Sequence, residues 1–326
     1  MERMRPSLVF VFVFLFINYT GHAQQPDTLI KKLDSLSTKT DSAGGQINNI
    51  DPRAYNEVTK INFPTYFILL GSDFKQQITK PFHMTGHDWG KVGYFALAAG
   101  VLSFADEPIQ RTALRIRTNS ATVRNVSRLV TNFGGPYETY TLAALGVYGF
   151  VFKNEKVKTT TFLASQAYIT SGVVAGLIKF VAGRERPYHS DPVAVEAEPI
   201  FHGPFYKAEK DANGKKLNSS FPSGHTTAAF SAATVYALEY KDKPLVPILS
   251  YTAASLIGLS RITENKHWAT DVLTGAALGY LTGRQVVNNY HRYAKLKAPK
   301  TKKNTVTFNL QYNDGVVMPG VIYTFR

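Results

Sequence analysis

The chain has 326 residues, of which 44% are hydrophobic and 13% aromatic, and its 37 Lys and Arg against 23 Asp and Glu give a formal net charge of +14. This length and apolar content exclude a chain that is disordered throughout, because enough apolar surface is available to form a core. The chain contains no cysteine. Disulfide frameworks, thiolate zinc sites and cysteine nucleophiles are therefore excluded.

The first 23 residues have the pattern of an export signal. Arg3 and Arg5 precede an unbroken apolar run at 8–17, and Gly21 and Ala23 have the small-residue spacing of a cleavage site. An apolar run of about ten residues is short for a hydrocarbon core roughly 30 Å thick, which disfavours the alternative of a retained membrane anchor. We predict cleavage after Ala23 and a location in the periplasm or on the outer face of a membrane.

Residues 24–90 are polar and broken by glycine and proline, which predicts an N-terminal arm. Residues 91–290 then alternate apolar runs with short polar stretches, which predicts an all-α domain, a bundle of about six to seven helices. The seven predicted helices are 91–104, 108–131, 138–152, 160–183, 224–240, 245–259 and 267–290.

The C-terminal part changes its pattern twice. A basic linker is predicted at 291–304. Residues 305–326 then alternate apolar and polar residues on both sides of Asn313-Asp314-Gly315, which predicts a β-hairpin.

Three short segments carry residues suited to catalysis. They are Lys179-Phe-Val-Ala-Gly-Arg-Glu-Arg186-Pro187, Pro222-Ser223-Gly224-His225, and Ser260-Arg261 followed by His267 and Asp271. His267 and Asp271 are four residues apart, on one face of a predicted helix. A carboxylate there is placed to accept a hydrogen bond from one imidazole nitrogen and to leave the other as a nucleophile or a base.

These residues fall at the ends of four consecutive predicted helices. Antiparallel packing brings such ends to one face of the bundle. Three or four of the cations Lys179, Arg184, Arg186 and Arg261, with a hydroxyl and the backbone N–H groups at the start of the fifth predicted helix, then match the charge and geometry of a phosphate group. The segments contain no metal-ligand motif, and the cations supply the neutralisation that a metal provides elsewhere, so no metal or other cofactor is expected. We expect His267 to attack phosphorus and His225 to protonate the departing oxygen.

The three segments resemble the signature of the type 2 phosphatidic acid phosphatase superfamily, Lys-x6-Arg-Pro, Pro-Ser-Gly-His and Ser-Arg-x5-His-x3-Asp. Every specified position is matched, in order, between 179 and 271. The resemblance implies that Lys179, Arg186 and Arg261 bind phosphate oxygens together with Ser223 and Gly224. It also implies that His267 becomes phosphorylated, with Asp271 orienting its ring and His225 acting as the acid.

Three questions stay open at this point. Vanadium-dependent haloperoxidases carry the same motifs around bound vanadate, although a chain of this length is more similar to the phosphatases, for which vanadate is an inhibitor. A soluble, non-specific acid phosphatase is a further alternative. The substrate class is a phosphorylated lipid or a small phosphate ester, and the long segment 188–221 is where we expect the leaving group to be recognised.

Membrane association is the expectation for location. Basic loops away from the site favour helices that span a membrane. Against spanning, apolar runs such as 226–238 and 245–259 are short and the mean hydropathy is −0.13. We therefore predict a soluble or peripheral protein that contacts a membrane surface. Nucleic acid is not an expected partner, because no aromatic residues interrupt the lysines between 295 and 303.

Overall fold

A computed structural model describes residues 60–188, 191, 193–207, 210 and 217–297, and the backbone of two strands at 305–313 and 316–324. The predicted export signal at 1–23, the arm up to residue 59 and the linker residues 298–304 lie outside the described residues. These expectations stay predictions, as does the division of the chain into domains.

Among the described residues the protein forms nine α-helices, one short 3-10 helix and two strands. The helices are α1 (Phe63–Thr79), α2 (Gly86–Ser103), α3 (Asp106–Asn119), α4 (Ala121–Phe133), α5 (Pro136–Val151), α6 (Glu155–Ala182), α7 (Gly224–Glu239), α8 (Leu245–Thr263) and α9 (Ala269–Lys297), and the 3-10 helix Lys80–His83 follows α1. Strands β1 (Thr305–Asn313) and β2 (Val316–Thr324) pair antiparallel, with Thr305 opposite Thr324. The helical part has the all-α class predicted from the sequence.

The helical body begins before the predicted boundary at 91. Helix α1 lies within the predicted polar arm, where the Asn62 side chain accepts a hydrogen bond from the Thr65 N–H at 2.9 Å and caps the helix. Leu69 of α1 is 1% exposed and belongs to the main core. The sequence did not mark α1 because its buried residues are mostly polar, namely Thr65, Ser72 and Asp73 beside Leu69.

The helix count also differs from the predicted seven. The predicted helix 108–131 is two helices, α3 and α4, which meet at Ser120. The Ser120 side chain accepts a hydrogen bond from the Val123 N–H at 3.3 Å, so this residue ends one helix and caps the next. Serine favours such an N-cap because its hydroxyl accepts from a free N–H group in the first turn.

Helix α7 packs against α6, α8 and α9, and its contact with α9 is close. Along α9 three glycines recur every fourth residue, and a Cβ on each would lie within 2.7 Å of an α7 carbonyl oxygen: at Gly275 the oxygen of Ser223, at Gly279 that of Thr227, and at Gly283 that of Ser231. Small residues at this spacing let two helix backbones approach. The approach places the first turn of α7 beside the first turn of α9.

Two single helices among the described residues are long and apolar enough to cross a membrane. They are α6, with 28 residues, and α8, with 19, and the pair α2 and α3, bent by 58°, passes the same test together. Large apolar side chains on the outside of the helices include Phe63, Phe82, Tyr94, Leu97, Phe104, Phe150, Phe180 and Leu249. Of the two apolar runs expected to be too short to span, 245–259 lies in α8, which passes this test because the helix extends beyond the run, whereas 226–238 lies in α7, which has only 16 residues.

Candidate functional site

The end of α6 is shaped by a glycine. Gly183 has φ of 55°, in the left-handed region, and a Cβ there would lie 2.2 Å from the carbonyl oxygen of Gly203. The chain then runs extended, with the Glu185 N–H donating to the Ile200 carbonyl at 3.2 Å and the Arg186 N–H to that of Leu217 at 2.9 Å. This extended path places Arg184 and Arg186 next to the first turns of α7 and α9.

Arg184 lies at the centre of a buried ionic network. Its Nη1 donates to Asp271 Oδ1 at 2.5 Å and to the Thr270 hydroxyl at 2.6 Å, and its Nη2 donates to Asp106 Oδ2 at 2.6 Å. The guanidinium is 1% exposed and both carboxylates are fully buried. One cation therefore joins the end of α6 to the starts of α3 and α9.

His267 is held by a backbone carbonyl. Its Nδ1 lies 2.7 Å from the Ser220 carbonyl oxygen and 3.7 Å from Asp271 Oδ2. A carbonyl oxygen only accepts hydrogen bonds, so Nδ1 carries a proton, and in the neutral ring the lone pair is then on Nε2. The sequence predicted that Asp271 would orient the ring directly, whereas the structure places Ser220 closer to it.

Asp271 fixes the groups that surround this ring. Its Oδ2 accepts from the Ser220 hydroxyl at 2.5 Å and from the Trp268 N–H at 2.9 Å. Burial raises the pKa of Asp271. Arg184, His267 and Ser220 together lower it by more than burial raises it, so the net pKa lies below the ordinary value. Asp271 is therefore an anion. It holds Ser220, whose carbonyl accepts from His267, and Trp268, which follows His267 in the chain.

The surroundings of His267 favour the neutral form of its imidazole. Burial lowers its pKa well below the ordinary value, Asp271 opposes that effect, and Lys179, Arg186 and Arg261 lower the pKa further. These three cations act on the ring because they are its neighbours in space. A neutral ring beside three cations keeps its lone pair for an anionic electrophile.

The predicted phosphate-binding cations come from three different elements. Lys179 Nζ donates to the carbonyl oxygens of Ser219 at 2.7 Å and Pro222 at 2.5 Å. Arg186 Nη2 donates to the Ser219 hydroxyl at 3.3 Å. Arg261 donates to the Thr131 hydroxyl, and its buried Nε has no hydrogen-bond partner in the part of the chain that the structure describes.

The segment Ser223-Gly224-His225 forms the start of α7. The Ser223 N–H donates to the Asp271 carbonyl at 3.0 Å, and a Cβ on Gly224 would lie 3.8 Å from the Lys179 Cε. His225 packs under the junction of α4 and α5, where a Cβ on Gly135 would lie 3.0 Å from His225 Nε2. Through these contacts the second motif meets both other motifs.

Asp106, Ser220 and Thr270 were not predicted from the sequence. Arg184 was expected among the cations that face the phosphate, whereas it binds the carboxylates of Asp106 and Asp271. Arg184 and Ser220 lie within or next to the motifs, but the sequence does not distinguish an arginine that binds phosphate from one that binds carboxylates. Asp106 precedes the first motif by a long stretch of chain, and no local pattern links it to the site. Among the described residues no group of three or more His, Asp or Glu is placed to hold a metal ion.

The part of the chain that contains these motifs is similar to a known protein family. Residues 160–294 match the model of the PAP2 superfamily. This part of the chain is similar to proteins of the PAP2 superfamily. The resemblance predicted from the three motifs is thereby confirmed, and the PAP2 region contains all eight residues predicted for the site.

Curated relatives of the domain have names that refer to lipid phosphates. The chain is 35% identical over 146 residues to "Lipid A 1-phosphatase" of Porphyromonas gingivalis. The aligned residues cover 44% of this chain and 27% of the relative. It is 31% identical over 166 residues to "Lipid phosphate phosphatase 1" of Arabidopsis thaliana, and this alignment covers 43% of this chain and 50% of that protein. A "Lipid A 1-phosphatase" of Rhizobium johnstonii is 28% identical over 49% of this chain and 64% of its own length. The chain thus spans about a quarter to two thirds of these relatives.

Two solved structures are similar to the chain. A transmembrane PAP2 type phosphatidylglycerolphosphate phosphatase from Bacillus subtilis is 21% identical, with a TM-score of 0.43 over 64% of this chain and 96% of that one. LpxE from Aquifex aeolicus is 24% identical, with a TM-score of 0.40 over 56% of this chain and 93% of that one.

Proposed function

We propose that the protein is a phosphatase that hydrolyses phosphate monoesters of lipids through a phosphohistidine at His267, without a metal ion. The observation that carries the proposal is the environment of His267. The ring donates from Nδ1 to the Ser220 carbonyl at 2.7 Å, and Lys179, Arg186 and Arg261 lie close enough to lower its pKa. A neutral nucleophile beside three cations fits an anionic phosphate and disfavours a cationic or neutral substrate.

The proposed reaction has two displacements at phosphorus. His267 Nε2 attacks the phosphorus atom, a bond from Nε2 to phosphorus forms, and the bond from phosphorus to the ester oxygen breaks as His225 transfers a proton to that oxygen. A water molecule, losing a proton to His225, then attacks the phosphorus, and the bond to Nε2 breaks to release inorganic phosphate. Arg186 and Arg261 neutralise the oxygens throughout.

A lipid is the substrate class that we propose, with diphosphates as an extension of the same chemistry. The relatives named for lipid A and lipid phosphate support this choice. The apolar outer surfaces of α6 and α8, of which only 44% and 33% of the most apolar window is buried inside the protein, support insertion into a bilayer. Because the site lies at the ends of these helices, a bound phosphate there is at the level of lipid headgroups.

The test of the nucleophile is the variant His267→Ala. We expect loss of phosphate release from phosphatidic acid and from a lipid A preparation, assayed in detergent with the purified full chain, because no other group replaces the lone pair of Nε2. His83→Ala is the control, since His83 is exposed in the 3-10 helix and lies outside the site. Full activity in His267→Ala overturns the mechanism.

A second test concerns the metal. We expect that EDTA leaves activity unchanged and that orthovanadate inhibits in competition with substrate, because vanadate resembles the five-coordinate phosphorus of the transition state. Loss of activity in EDTA that Zn²⁺ or Mg²⁺ restores contradicts the metal-independent proposal. Bromide oxidation with vanadate and peroxide, in the absence of any phosphatase activity, favours the haloperoxidase alternative.

A further inference from the structure

A carboxylate outside the PAP2 region contacts the site. Asp106 is the first residue of α3, and residues 160–294 alone match the family model. Its side chain is fully buried and has a partner at both oxygens. Oδ1 accepts from the Thr270 N–H at 2.9 Å, and Oδ2 accepts from the Thr270 hydroxyl at 2.5 Å and from Arg184 Nη2 at 2.6 Å.

These contacts connect Asp106 to the proposed nucleophile through a short series of residues. Arg184 donates to Asp271 Oδ1, and Asp271 Oδ2 accepts from the Ser220 hydroxyl. The Ser220 carbonyl in turn accepts from His267 Nδ1. Every distance in this series is 2.7 Å or less.

We propose that Asp106 is a positioning residue for His267. It anchors the first turn of α9 at Thr270 and shares the Arg184 guanidinium with Asp271, so that Asp271 and Ser220 hold His267 as the tautomer protonated on Nδ1. Two carboxylates restrain a planar guanidinium on two of its edges, which a single carboxylate does not. The inference rests on the proposed function for its kinetic test and on the described contacts alone for its spectroscopic test.

The variant that tests the proposal is Asp106→Asn, which keeps the side-chain shape and removes the charge. We expect kcat to fall about 10-fold to 100-fold with KM changed less than about twofold, because phosphate binding by Lys179, Arg186 and Arg261 is preserved. The matched control is Asp73→Asn, since Asp73 of α1 is also fully buried and accepts from a side chain of α9. We expect it to keep the wild-type kcat.

A double variant separates positioning from general destabilisation. If Asp106 acts through Asp271, Asp106→Asn lowers kcat much less in an Asp271→Asn background than in the wild type. Equal fold losses in both backgrounds, or the same loss in Asp73→Asn, overturn the proposal in favour of a structural role.

The spectroscopic test does not require turnover. Nitrogen-15 shifts of the His267 ring, assigned by comparison with His267→Ala, are expected to show the proton on Nδ1 in the wild type and a mixture of tautomers in Asp106→Asn. An unchanged tautomer together with unchanged kcat overturns the inference. A wild-type protein that releases no phosphate overturns the proposed function, while the ring shifts still decide the inference about Asp106.

Discussion

Two buried aspartates lie in contrasting environments, one at the start of α9 and one within α1. Asp271 at the start of α9 contacts the Arg184 guanidinium at 2.5 Å. Among the described residues the Asp73 carboxyl accepts only from the Asn289 amide, at 2.8 Å on Oδ1, and its Oδ2 has no partner. Both side chains are 0% exposed.

The difference decides which aspartate is charged. Burial raises the pKa of Asp73 to about 8, and the Asn289 hydrogen bond lowers it only in part. Burial also raises the pKa of Asp271, yet Arg184 and the hydrogen bonds of the site outweigh that effect. Burial thus favours the neutral acid, and only a buried cation keeps the charge on which the site depends.

Removal of that cation is the strongest way to break the contrast. We expect Arg184→Gln to lower the free energy of unfolding by about 3–5 kcal/mol, because it leaves Asp106 and Asp271 buried without a counter-charge. Chemical denaturation in detergent measures the loss. Arg111→Gln is the control, since Arg111 forms an exposed pair with Glu107 and is expected to contribute less than about 1 kcal/mol. A similar, small loss in both variants refutes the importance of the buried network.

The next largest effect concerns the charge of Asp271 itself. We expect Asp271→Asn to lower kcat about 100-fold or more, because the amide NH2 group only donates and cannot accept from Arg184 on one side or from Ser220 and Trp268 on the other, which disturbs the ring of His267. Steady-state phosphate release with KM measured in parallel tests this. A loss confined to KM contradicts the assignment, since it indicates a role in binding alone.

The smallest effect is expected at Asp73, and it depends on pH. Because the pKa is raised from 3.8 to about 8 in the folded protein, the folded state binds more protons than the unfolded state between these values. The stability of the wild type should therefore fall as pH rises from about 4 to 8. Asp73→Asn should remove this part of the pH dependence and gain stability relative to wild type at pH 8. If the free energies of unfolding of the wild type and of Asp73→Asn depend on pH in the same way, Asp73 is not neutral in the folded protein.

Much of the site was predictable because its chemistry lies in short motifs. Lys179, Arg186, Arg261 and His267 were expected at helix ends, and the structure brings these four together. Some helix ends were also foreseen, as at α7, where Gly224 begins the helix in both the prediction and the structure, whereas α9 was predicted to end at 290 and extends to Lys297. Local patterns suffice there because caps and apolar periodicity act within one or two turns.

Other features escaped prediction because they depend on distant residues. Helix α1 packs on α9, and Asp73 and Asn289 that join them are far apart in sequence. The direct acceptor for His267 is a carbonyl, which every residue possesses, so no side-chain pattern marks Ser220.

The amino-acid sequence by itself determined the all-α class, the residue types at the site and their resemblance to the PAP2 superfamily. Tertiary structure alone decided that Asp106 joins the site, that Arg184 binds carboxylates, and that Ser220 orients His267. The physical reason is that charge pairing and burial operate over ångströms in space, whereas a motif records only neighbours along the chain.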